Sequence, residues 1–131
     1  MEIDHLTVPV RDYEASKAFY SAALKPLGYE LLLDWIEKRQ AYFGPPPAPS
    51  VLWIVESEVA GGLEISLAVA GAEVVDAFHA AATAAGARTI HEPGICDERT
   101  SKHYATRVLD PDGNSLEAVH RTAASGARAA A

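Results

Sequence analysis

Cysteine is nearly missing from this 131-residue chain: Cys96 stands alone. One thiol excludes an intramolecular disulfide and a cysteine-based zinc cluster, and it favours a reducing compartment. Basic residues are also scarce, with 11 Lys and Arg against 18 Asp and Glu and a net charge of −7. Without a basic stripe there is little to neutralise phosphates, so no nucleic-acid partner is expected. No apolar run reaches the roughly 18 residues needed to span a bilayer, so no membrane partner is expected either. The opening residues Met1, Glu2 and Asp4 lack the basic start and apolar stretch of a signal peptide. The expected location is cytoplasmic. What is present is ordinary for a globular chain, 49% hydrophobic residues, and suits a single core.

Residues 3–10 and 63–70 alternate with period two and predict strands. In the first, Leu6, Val8 and Val10 share the apolar face, with His5, Thr7 and Pro9 opposite. Pro9 cannot donate to a ladder and predicts an edge position or the strand's end. In the second, Leu63, Ile65, Leu67 and Val69 are the apolar face, and Glu64 and Ser66 lie on the other. A helical stripe follows each strand. Asp12 is a candidate N-cap, Glu14 suits the first turn, Ala15, Phe19 and Ala22 form the stripe, and Pro26 with Gly28 stops it. The second helix is expected over residues 72–85, with Val74, Val75, Phe78 and Ala82 inward and Gly86 as its stop.

Three shorter strand segments follow the first helix, at 29–35, 40–43 and 51–56, the last two separated by the stiff Gly44-Pro45-Pro46-Pro47 run. Three more follow the second helix, at 88–91, 103–109 and 115–120, with Asp110-Pro111-Asp112-Gly113-Asn114 as a strong turn signal before the last. Residues 93–102, which hold Cys96, read as a loop, and residues 121–131 read as a flexible Ala-rich tail. The order βαβββ thus occurs twice. One shift relates the halves, since 64 − 5 = 59 carries His5 to Glu64 and 78 − 19 = 59 carries Phe19 to Phe78. The expected fold is α+β: two βαβββ modules, residues 1–58 and 61–120 of a single domain 1–120, pairing into a partly closed eight-stranded sheet cleft with helices outside.

The polar faces then become informative. If Leu116 and Ala118 pack on a helix, Glu117 joins His5 and Glu64 on the opposite side, with Trp53 in the matching place of the first module. One reading is the solvated face of an antiparallel sheet. The other is a cleft in which one imidazole and two carboxylates, His5, Glu64 and Glu117, hold a divalent metal. Thr7, Ser66, Trp53 and Tyr104 would line it, with Trp35 or Tyr42 adding aromatic surface. Of the neighbours His103 and Tyr104, one can point into the cleft. His103 is a candidate acid–base group or substitute ligand, or else an exposed strand histidine, whereas His79, His91 and His120 read as structural or surface residues.

Ile3-Asp4-His5-Leu6, Ser16-Lys17-Ala18-Phe19-Tyr20 and above all Leu109 to Val119, with a DPDGN turn shortly before a strand glutamate, resemble the vicinal oxygen chelate superfamily of glyoxalases, extradiol dioxygenases and bleomycin-resistance proteins. The resemblance covers residues 1–120. It implies metal ligands at His5 and Glu117, and it places Trp53 and Glu64 where relatives supply a glutamate and a histidine. With manganese, magnesium, zinc, nickel or iron as the cofactor, the implied activity is metal-dependent chemistry of glyoxalase or dioxygenase type on a small oxygen-bearing substrate. The alternative it implies is sequestration of a small molecule without chemistry, as in bleomycin resistance. A homodimer is implied in either case.

Overall fold

The computed structural model describes residues 1–98 and 101–121. The first module contains β1 (Leu6–Val10), α1 (Tyr13–Ala23), β2 (Glu30–Trp35), β3 (Gln40–Gly44) and β4 (Leu52–Glu56). The second contains β5 (Glu64–Ala68), α2 (Ala72–Ala84), β6 (Arg88–Glu98), β7 (Ser101–Leu109) and β8 (Ser115–Arg121). The strands form two open, four-stranded mixed sheets, in the orders β1-β4-β3-β2 and β5-β8-β7-β6. The fold is α+β, as the repeat predicts. Its register repeats as well. β1 runs parallel to β4 with Thr7 opposite Trp53, and β5 runs parallel to β8 with Ser66 opposite Glu117. Trp53 and Glu117 therefore hold equivalent places in the two modules.

Local chemistry explains the elements. Asp12 caps α1 by accepting a hydrogen bond from the Ala15 amide at 3.0 Å, which satisfies one of the helix's unpaired first-turn donors. Tyr13, Ser16, Phe19, Tyr20 and Ala23 form the buried stripe of α1, the spacing a 3.6-residue period requires. Gly28 closes the turn after α1 at φ +84°, a conformation that a side chain would strain. Pro9 lies on β1, an edge strand, where its missing N–H leaves no ladder bond unmade. One apolar core joins Val8, Val10, Phe43, Leu52 and Ile54 of the first sheet to Ile65, Val108, Leu116 and Ala118 of the second, through Phe19, Tyr20, Val75 and Phe78 of the helices. On the opposite faces, Tyr42 and Trp53 of the first sheet and Arg107 and Glu117 of the second are half-buried, while His103, Ala105 and Val119 beside the latter are buried.

The segment expected to be a loop at 93–102 is instead largely strand. β6 and β7 pair through Gly94 with Ala105 and Cys96 with His103. Pro93 falls in a register shift between His91 and Gly94, where an irregular ladder tolerates a residue without N–H. Arg121 belongs to β8 rather than to the expected tail, whose other residues, 122–131, lie outside the described residues. Among the described residues no helix is long and apolar enough to cross a membrane.

The turn after β7 is anchored in the core. The buried Asp110 carboxylate accepts from the Tyr20 hydroxyl at 2.5 Å, the Asn114 side-chain amide at 2.8 Å, and the backbone amides of Asp112 and Asn114 at 2.9 and 2.8 Å. Burial, and then the negative charge of Asp110, push the Tyr20 hydroxyl well above the usual tyrosine range. Raised in the folded state, this group contributes stability that is complete below the unfolded value of about 10 and lost as pH climbs past it. We expect the urea midpoint to hold to about pH 10 and then fall, less steeply in Tyr20→Phe. Part of the fall remains from Tyr13, which burial also raises. An equal slope in the variant and the parent would remove Tyr20 from this account.

Candidate functional site

On one face of the first sheet, three rings form a row from His5, just before β1, across β4 and β3. His5 stacks on Trp53 with centroids 3.5 Å apart, and Trp53 stacks on Tyr42 at 4.2 Å. The polar atoms of two of these rings are satisfied locally. Trp53 Nε1 donates to Ser50 Oγ at 2.9 Å and the Tyr42 hydroxyl donates to Gln40 Oε1 at 2.9 Å. Because the rings stack on one another, they offer edges rather than faces to whatever covers the sheet. Ring edges are the positive part of the aromatic quadrupole and favour oxygens or the face of a flat π-system. His5 Nδ1 lies 2.7 Å from Asp4 Oδ1. Thr7, opposite Trp53, shares this face, and Trp35 extends it opposite Gln40.

The corresponding face of the second sheet is polar. Ser66 Oγ on β5 donates to Glu117 Oε1 on β8 at 2.6 Å. Arg107 on β7 stands directly across the ladder from Glu117. Its Nη2 lies 3.5 Å from Glu117 Oε2, and its Nη1 lies 3.4 Å from Glu64 Oε1 and 3.2 Å from Ser115 Oγ. The Glu117 side chain is 16% exposed and that of Glu64 80% exposed. The Arg107–Glu64 contact is therefore water-screened, and Arg107–Glu117 is the stronger pair. A cavity of about 500 Å³ opens here, lined by Ile90, His91, Ile95, Cys96, His103, Arg107 and Glu117. Cys96 Sγ sits 3.6 Å from His91 Nε2, and His103 Nδ1 lies 3.4 Å from Arg121 Nη1. A smaller cavity of about 220 Å³, lined by Leu27, Tyr29, Leu67 and Val74 among others, has no charged side chain on its walls.

The structure thus gathers Ser66, Glu117, Glu64 and His103 on one face, and His5, Thr7 and Trp53 on another. Among the described residues no three His, Cys, Asp or Glu side chains come close enough to hold a metal ion. His5, Glu64 and Glu117 therefore do not share a coordination shell within one chain. Nor do the two carboxylates fit a divalent ion as they stand, because each already meets the guanidinium of Arg107. Tyr104 is corrected from the pocket lining. Strand alternation sends it to the opposite face from His103, where its hydroxyl donates to Asp76 of α2 at 2.7 Å, and that bond raises its pKa. Sequence reasoning missed Arg107 and His91 as lining residues. A signal for Arg107 existed. A turn that places Leu109 opposite Ser115 puts Arg107 opposite Glu117 two steps along.

A family model of the Glyoxalase/Bleomycin resistance protein/Dioxygenase superfamily matches residues 2–118. A glyoxalase/bleomycin resistance protein from Albidiferax ferrireducens T118 is 33% identical in sequence, with a TM-score of 0.78 over 90% of this chain and 98% of that one. A glyoxalase/bleomycin resistance protein/dioxygenase family enzyme from Burkholderia phytofirmans PsJN is 19% identical, with a TM-score of 0.68 over 93% and 100% of the two chains. A domain of the same description from Frankia sp. EAN1pec is also 19% identical, with a TM-score of 0.70 over 93% and 98%. At that identity the last two speak for the fold alone. No curated protein matches the chain.

Proposed function

The chain belongs to the glyoxalase/bleomycin resistance protein/dioxygenase superfamily, and on that premise we propose that it is an enzyme moving a proton on a small, flat, oxygen-bearing molecule. The observation that carries this reading is the cavity face on which Glu117 is held by Ser66 and Arg107 with His103 nearby. A carboxylate fixed by a hydroxyl and a guanidinium keeps one orientation, and general-base transfer needs that before anything else. In this reading Glu117 takes a proton from a hydroxyl-bearing carbon beside a carbonyl and returns it to the carbonyl carbon, while the hydroxyl proton passes to the former carbonyl oxygen, so that hydroxyl and carbonyl exchange places. Ser66 and Arg107 keep the carboxylate aimed.

The aromatic row His5–Trp53–Tyr42 is the natural cover for a flat substrate, yet it lies on the other sheet. The proposal therefore includes a homodimer in which the aromatic face of one chain closes the polar face of its partner. β1 and β5, the strands beside these faces, are both sheet edges, and unpaired edges are surfaces that proteins tend to cover.

The test is hydrogen exchange in D₂O followed by NMR, with phenylpyruvate, dihydroxyacetone and the hemithioacetal of methylglyoxal and glutathione as probes. Protein-dependent exchange of the hydrogen next to the carbonyl is expected for at least one of them. Tight binding of a probe without exchange would favour sequestration instead.

A further inference from the structure

We infer that Arg107 is a built-in cation: it stands between Glu64 and Glu117 where a divalent metal ion would stand, and it meets a carboxylate or enediolate oxygen of the ligand. The metal half of this inference stands on geometry alone, and the ligand half rests on the function proposed above. Three contacts define the position. Nη1 reaches Glu64 Oε1 at 3.4 Å and Ser115 Oγ at 3.2 Å, while Nη2 reaches Glu117 Oε2 at 3.5 Å. A planar guanidinium can bridge two carboxylates from separate strands and still keep further N–H donors. Arg107 also lines the cavity beside Glu117 and His103, so those remaining donors adjoin the space a ligand would fill.

Charge makes the two cations exclusive. Glu64, Glu117 and Arg107 sum to −1, and the fixed positive charge is already at the centre of the set. A divalent ion could bind Glu117, 16% exposed, only by displacing the guanidinium or by sitting against a like charge in a partly desolvated place, while the exposed Glu64 adds a water-screened contact. Glu117 Oε1 is also occupied by the Ser66 hydroxyl at 2.6 Å. An oxygen anion of a ligand meets the reverse situation, since it finds N–H donors and a positive charge held in place before it arrives.

Removing the guanidinium should therefore create a metal site where the parent has none. Calorimetric titration with MnCl₂ and its effect on Tm would be compared in the parent, Arg107→Met, Arg107→Lys and Arg107→Met combined with Glu117→Gln. The parent and the Lys variant are expected to show no saturable uptake up to about 1 mM Mn²⁺. Arg107→Met is expected to bind at least about tenfold more tightly, with a Tm that rises with metal, and the added Glu117→Gln should abolish the gain. Arg107→Gln replaces the Met variant if that one does not fold. Micromolar Mn²⁺ binding by the parent would overturn the inference, as would uncharged variants that bind no better than the parent. Because Mn²⁺ is the only probe, this result is read separately from the exchange assay and can fail without it.

Discussion

Asp110→Ala is expected to lower the unfolding free energy by about 4 kcal/mol, enough to leave a domain of this size marginal at room temperature. The buried carboxylate accepts four hydrogen bonds, from Tyr20, the side chain of Asn114 and two backbone amides. Alanine leaves all of those donors without a charged acceptor, and an orphaned buried donor costs about 1–3 kcal/mol before relaxation. Asp110→Asn keeps the shape and one acceptor oxygen but turns an amide toward existing donors, so it should lose roughly half as much. Urea unfolding followed by circular dichroism measures both. A loss below about 1 kcal/mol for the alanine variant would mean that the turn is held by its backbone alone. The consequence reaches the site, because this turn sets Leu109 opposite Ser115 and with it Arg107 opposite Glu117.

Glu117→Gln should reduce the rate of exchange about 10²- to 10⁴-fold while leaving the urea midpoint nearly unchanged. The glutamine oxygen can still accept from Ser66 and the side-chain volume is kept, so packing on β8 is preserved. What disappears is the ability to take a proton and the charge that faces Arg107. A variant that retains more than about a tenth of the parent rate would remove Glu117 as the base. His103, on the same face and lining the same cavity, would then be the next group to replace.

Periodicity made much of this molecule legible. Alternation at 3–10 and 63–70, together with the 59-residue shift, anticipates two βαβββ modules. The shift carries Thr7 to Ser66, whereas the closing strands are offset by 117 − 53 = 64, so the pairing of Trp53 with Thr7 and of Glu117 with Ser66 is seen only in the ladders. The cap at Asp12 and the turn at residues 110–114 were readable for a local reason, since their side chains bond to amides a few residues away. What escaped depends on pairing between strands. Pro93 and Gly94 read as loop residues because the signal is local, whereas a long β7 partner carries β6 past the irregularity. His103 and Tyr104 are neighbours, so a strand must send them to opposite faces, and only the β7–β8 ladder decides which enters the cavity. In the His5, Glu64 and Glu117 set, His5 and Glu64 are equivalent positions of the repeat, and Glu117 comes from the polar face of the closing strand. Equivalence places residues on matching faces, but among the described residues it brings no three metal-binding side chains together within one chain.

The division of the site between two chains is best tested by mixing two broken proteins. Trp53→Ala damages the aromatic face and Glu117→Gln the polar face, so neither homodimer has an intact site if each site takes one face from each chain. In a mixed dimer one of the two sites joins the damaged faces, and the other joins the native Trp53 of one chain to the native Glu117 of its partner. After the two variants are unfolded together and refolded at equal concentration, random pairing makes half of the dimers mixed, and exchange should return to about a quarter of the parent rate. If the mixture stays as inactive as its components, although sedimentation shows that mixed dimers have formed, the two faces do not build one site across the dimer.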